Sequence, residues 1–144
     1  MKKIKAMVID DSRVMRLMVM KSLREAGLAE FEFQEAEDGE DALAKILHDR
    51  PEILFVDWNM PKMSGIDLVK RFRRDRANDT VPVVMVTSEK TMGKIEEALD
   101  QAGANEYICK PFTVDQLRQK LPRMLEIVEQ KKPAGGFFSK VLGS

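Results

Sequence analysis

Ile53-Leu54-Phe55-Val56-Asp57-Trp58-Asn59-Met60-Pro61 decides how this chain is read. Four apolar residues run straight into a carboxylate, followed by a tryptophan, an amide and a proline. A short apolar run of this kind is a strand buried on both faces. Asp57 therefore stands where a strand leaves the core. A buried carboxylate is costly unless something pairs with it. The rest of the chain has to supply that partner.

Similar runs lie on either side. Residues 6–9 (Ala-Met-Val-Ile) form a buried strand closed by Asp10 and Asp11, with Ser12 placed to cap a helix over Arg13–Ala26. Val14, Leu17, Met18 and Leu23 recur near helical spacing, and Gly27 can end the helix. Residues 31–36 alternate and predict a strand near the sheet edge. Asp38-Gly39 turns the chain, and Leu43, Ile46 and Leu47 give a short helix ending before Pro51. Beyond the central strand, Gly65 opens a helix carrying Ile66, Val69 and Phe72, and residues 81–87 give a fourth strand. Thr91 caps a helix with Ile95, Ala98, Leu99 and Ala102, and Gly103 stops it. Residues 106–109 form the last strand. Thr113 caps a final helix with Val114, Leu117, Leu121, Leu125 and Val128 inward, which Pro122 should kink or break near Leu121.

Five strands alternating with five helices predict an α/β fold, a doubly wound parallel sheet covered on both faces. Ligands in such sheets bind beyond the carboxyl ends of the strands. Chemically useful residues collect there: Asp10 and Asp11 after strand one, Asp57 after strand three, Thr87 after strand four and Lys110 after strand five. Singly, each has an ordinary explanation as a cap or a turn residue. Five of them at equivalent topological places make a site. Three converging carboxylates call for a cation, and oxygen-only ligands suit Mg2+ or Mn2+. Asp57 can attack phosphorus to give an acyl phosphate, with Lys110 and Thr87 serving the oxygens of the transferred group.

Composition narrows the function. The 144 residues suit a single domain, and 24 basic side chains cancel 24 acidic ones, which argues against a nucleic-acid or anionic-membrane binder. One cysteine excludes a disulfide within the chain and fits a reducing cytoplasm. No stretch approaches the ~20 apolar residues of a membrane span.

These pieces together resemble the receiver domain of two-component response regulators, in particular its stand-alone chemotaxis members. The resemblance rests on Val8-Ile9-Asp10-Asp11-Ser12, Asp57 to Pro61 with Met63 and Gly65, Met85 to Glu89, Ala102-Gly103-Ala104, and Tyr107 through Lys110-Pro111-Phe112. It implies a flavodoxin-like strand order of 2-1-3-4-5, with residues 1–128 as the receiver domain and 129–144 as a C-terminal tail. It implies that Asp57 accepts a phosphoryl group from a histidine kinase, and that Asp10, Asp11, Asp57 and the Asn59 backbone carbonyl hold Mg2+. Lys110 would contact the phosphoryl group, with a cis peptide bond before Pro111. Thr87 and Tyr107 would form the switch, and Asn59 and Glu89 would set how fast the acyl phosphate hydrolyses. A protein target, such as a flagellar motor switch protein, would be bound through the 91–128 face by a cytoplasmic monomer. Phosphorelay intermediate and phosphate sink are alternatives of the same class.

A different class, phosphohydrolases of the haloacid-dehalogenase type, also combines an Asp nucleophile with Thr, Lys and Mg2+. It needs an acid two residues after the nucleophile, where this chain has Asn59. The tail joins Lys131 to Gly136, a flexible break by composition, to the apolar cluster of Phe137, Phe138, Val141 and Leu142. It reads either as a frayed terminus or as a tethered peptide that docks on a partner.

Overall fold

The computed structural model describes residues 3–131. Five strands, β1 (Lys3–Ile9), β2 (Glu30–Ala36), β3 (Ile53–Val56), β4 (Val83–Thr87) and β5 (Glu106–Cys109), form one sheet in the order β2-β1-β3-β4-β5. Every neighbouring pair is parallel. The helices between them are α1 (Arg13–Ala26), α2 (Gly39–His48), α3 (Gly65–Phe72), α4 (Met92–Glu96), α5 (Val114–Lys120) and α6 (Pro122–Lys131). A 3-10 turn at Arg76–Asn78 follows α3, and α4 widens into π-helical turns over Glu97–Ala102.

Side chains alternate along the strands, so each strand feeds two cores. Met7, Ile9, Leu54, Val56, Val83 and Met85 meet the residues of α2, α3 and α4, among them Ile46, Val69, Phe72 and Ala98. Ala6, Val8, Phe55, Val84, Val86 and Ile108 meet α1, α5 and α6 through Val19, Leu23, Leu117, Leu121 and Val128. The helices start where the sequence offers a cap. Ser12, Asp38, Ser64 and Thr91 each accept a hydrogen bond from a backbone N–H of the first turn, and Thr113 forms a reciprocal capping box with Gln116.

One expectation needs correcting, and two helix faces are settled by the structure. Five helices were expected and six are present, because Pro122 divides the last one near Leu121, as its position foretold: α5 ends at Lys120 with Leu121 as its C-cap, and Pro122 opens α6 as its first residue, where a missing N–H costs nothing. On α1, Val14, Leu17 and Met18 face solvent, 66%, 48% and 53% exposed, while Val19, Met20, Leu23 and Ala26 are buried. Apolar residues occur on both sides of this helix at helical spacing, so periodicity alone could not choose the face. On α2, Leu47 also points outward and Ala42 takes its place inside. The helix α6 continues past Val128 to Lys131, and the reading of Lys132 to Leu142 lies outside the described residues.

Candidate phosphoacceptor site

The register of the sheet assembles the site. Ile9 pairs with Val56, so the residues that follow them, Asp10 and Asp57, stand side by side where the strand order reverses. The Asp57 N–H donates to the Ile9 carbonyl at 2.9 Å and carries the ladder one step past the strand. On the other side of β3, Val56 pairs with Met85, and Thr87 is the last residue of β4. Thr87 pairs with Cys109, and the Lys110 N–H donates to the Thr87 carbonyl at 2.8 Å. Five residues from four strands thus reach one edge through backbone pairing.

Their side chains converge. One carboxylate oxygen from each of Asp10, Asp11 and Asp57 lies within 4.8 Å of the others. Asp10 is buried, Asp57 is half-buried and Asp11 is exposed, so the cluster opens to water on one side. Asp10 is held by the Ser12 N–H at 2.9 Å and by the Lys110 ammonium at 2.8 Å, while Lys110 stands 3.7 Å from Asp57. Desolvation raises the Asp57 pKa above the ordinary carboxylate value, and the neighbouring Asp10 raises it further. Lys110, a side-chain hydrogen bond with Thr87 and the Trp58 backbone pull it back down. The carboxylate is thereby left short of stabilisation.

This donor set fits a hard divalent cation. It offers only oxygens, three of them anionic, and its open side leaves room for the waters that Mg2+ retains. The single ammonium of Lys110 leaves part of the negative charge of the three acids uncompensated.

A second group of residues frames the acids. Thr87 is fully buried, and its Oγ1 accepts a hydrogen bond from the Glu89 N–H at 3.3 Å. The Asn59 amide donates to the Glu89 carboxylate at 3.3 Å, joining the β3 and β4 loops. Tyr107 lies inward and buried, and its hydroxyl donates to the Glu89 carbonyl at 2.7 Å. Burial pushes the Tyr107 phenol up to about 12, with smaller contributions from Cys109, Glu89 and Asp57. The Lys110–Pro111 peptide bond is cis.

Two functional neighbours escaped the sequence, and a third was seen without its reason. Arg16 donates to the Asp10 carbonyl at 2.6 Å and to Glu35 at 2.8 Å, bracing the end of β1 from within α1. Lys94 lies over the Trp58 ring, 4.6 Å from its centroid, and links α4 to the residue beside Asp57. Gly65 packs against the Asp57 backbone so closely that a Cβ there would overlap the Asp57 carbonyl oxygen. Gly65 was visible as part of the motif, but its reason was not. The other two contacts are long-range and leave no local pattern.

With the sheet order, the acid cluster and the opposed lysine in view, the class is defined: the chain belongs to the response regulator receiver family, whose domain model matches residues 6–122. Within that family it is similar to chemotaxis proteins. Chemotaxis protein CheY-3 of Vibrio cholerae is 42% identical over 125 residues, covering 87% of this chain and 94% of the relative. Chemotaxis protein CheY of Pseudomonas aeruginosa is 40% identical over 124 residues, covering 86% and 98%. The crystal structure of Vibrio cholerae chemotaxis protein CheY4 superposes with a TM-score of 0.75 at 34% identity, covering 85% of this chain and 98% of that one. Among the described residues, no helix is long and apolar enough to cross a membrane.

Proposed function

We propose that this chain is a single-domain phosphorylation switch in chemotaxis or motility signalling, with Asp57 as the phosphoacceptor. The observation that carries the reading is the Asp10-Asp11-Asp57 cluster with the Lys110 ammonium set against it. An Asp57 oxygen attacks the phosphorus of a phosphohistidine on a histidine kinase. The new O–P bond forms as the P–N bond breaks, and the imidazole leaves. Held by Asp10, Asp11, Asp57 and the Asn59 carbonyl, Mg2+ would supply positive charge against the oxygens of the transferred group. Lys110, released from Asp10, then pairs with a phosphoryl oxygen. The exposed Val14, Leu17 and Met18 lie on the helix that starts two residues after Asp11 and offer a donor protein an apolar seat beside the site.

Hydrolysis ends the signal: water attacks phosphorus, the O–P bond to Asp57 breaks, and inorganic phosphate departs. The Asn59–Glu89 contact stands over that approach and sets its rate. The output is conformational. Tyr107 lies inward, with its hydroxyl on the Glu89 carbonyl. The phosphoryl group draws the Thr87 hydroxyl and holds that inward arrangement, a shift of a few kcal/mol at most. That arrangement presents α4, β5 and α5, within residues 91–128, to a target such as a motor switch protein. The setting is cytoplasmic and the chain monomeric.

Trp58 is the single tryptophan and lies beside the site, so its fluorescence reports directly. Mg2+ followed by a tetrahedral or beryllium-based phosphate mimic should change the emission in two steps. Asp57→Asn should remove the second step, and a second step that persists in that variant would overturn the assignment.

A further inference from the structure

Asp10 and Asp11 are consecutive, yet one carboxylate oxygen of each lies within 4.8 Å of the other. An extended chain sends successive side chains to opposite faces, so neighbouring acids share one side only if the backbone turns between them. The turn is present: β1 ends at Ile9, and the chain bends at Asp11. The Asp10 N–H still follows the sheet and donates to the Ala36 carbonyl at 3.2 Å. The Asp10 carbonyl belongs to the peptide that joins the two acids, and its partner is a side chain.

That side chain is Arg16. Its Nη1 donates to the Asp10 carbonyl at 2.6 Å, and its Nε donates to the Glu35 carboxylate at 2.8 Å. The Arg16 side chain is 12% exposed, so water competes little for either bond. Arg16 stands one turn into α1, whose start is fixed by the Ser12 cap, and Glu35 stands on β2 opposite Val8. A planar, rigid fork therefore ties the Asp10–Asp11 peptide to two elements at once. A positive charge beside a cation site weakens that site by repulsion, so any affinity gained from Arg16 has to come through geometry.

Taking Asp10, Asp11 and Asp57 as the Mg2+ site proposed above, we infer that Arg16 is its positioning residue. It fixes the plane of the Asp10–Asp11 peptide and so aims both carboxylates at one cation, with Glu35 acting through it. Groups that orient the ligands of a metal carry roughly 10–100-fold of its affinity.

The test is a Mg2+ titration of the full chain read by Trp58 fluorescence, with denaturant unfolding run beside it. Arg16→Met should weaken Mg2+ binding by roughly tenfold or more. Loss of a nearby cation acting by charge alone would strengthen it instead. Arg16→Lys keeps the charge without the fork and should also lose affinity. Glu35 is partly exposed, so Glu35→Ala should fold even where the Arg16 variants do not. It should weaken binding when Arg16 is present and add nothing to Arg16→Met, because Glu35 acts only through the guanidinium. Affinity unchanged or raised in any of the folded single variants would overturn the inference, whatever stability is lost. So would a Glu35→Ala effect that persists without Arg16. A wild-type chain with no Mg2+ response would overturn the reading of the acid cluster, and the inference with it.

Discussion

Lys110 gives its ammonium to Asp10 before Asp57, at 2.8 Å from one carboxylate and 3.7 Å from the other. Asp10 also belongs to the acid cluster, so under the proposed function a metal held by Asp10 would meet the ammonium on the same carboxylate. Separating the lysine from Asp10 is the first event the proposed chemistry requires.

That competition can be measured with Lys110→Met. In metal-free buffer the variant leaves Asp10 and Asp57 without a counter-charge, and stability should fall by roughly 1–3 kcal/mol. Mg2+ no longer has to displace an ammonium, so its affinity should rise by about tenfold, or ~1.4 kcal/mol. Denaturant unfolding and a Trp58 fluorescence titration read the two effects. Weaker Mg2+ binding in the variant would show that Lys110 helps to hold the ion.

Gly65→Ala tests the loop that carries Asp57. A Cβ would overlap the Asp57 carbonyl oxygen and stand 2.9 Å from its carbon and 3.1 Å from the Trp58 Cα, all of them backbone atoms. Neither side can yield without moving the strand end, so the cost should reach about 3 kcal/mol or more. The Gly65 N–H donates to the Trp58 carbonyl at 2.8 Å, so the same change should weaken the Mg2+ response of Trp58. Wild-type stability by thermal unfolding would contradict the packing described.

Tyr107 gives a pH signature, since it is the single tyrosine. Its folded pKa is raised from 10.0 to about 12, so the fold favours the neutral phenol. The contribution to stability is complete below the unfolded value and is lost as pH rises from 10.0 through about 12. Phenolate absorbance should therefore titrate near 12 in the folded chain and near 10.0 in denaturant. A folded-state midpoint near 10.0 would mean that the ring is solvated.

Much of this was legible because strand ends were marked by chemistry. Apolar runs closed by Asp10, Asp57, Thr87 and Lys110 gave the sheet and the site edge together, since parallel pairing aligns those ends automatically. Pro122 announced its own break. The buried face of α1 was not legible because Val14, Leu17 and Met18 repeat at the same helical interval as the buried set. Lys94 over Trp58 and Arg16 on the Asp10 carbonyl depend on tertiary placement, which no local spacing encodes. The inward Tyr107 ring was equally hidden, because a strand residue's face is decided by what packs beside it.

The most direct measurement maps the phosphoryl group itself. The chain is incubated with Mg2+ and a small-molecule phosphodonor, reduced with borohydride to trap an acyl phosphate, and sequenced by mass spectrometry. The account predicts one metal-dependent modification, at Asp57, absent from Asp57→Asn. Modification at Asp10 or Asp11, or none at all in the presence of Mg2+, would contradict it.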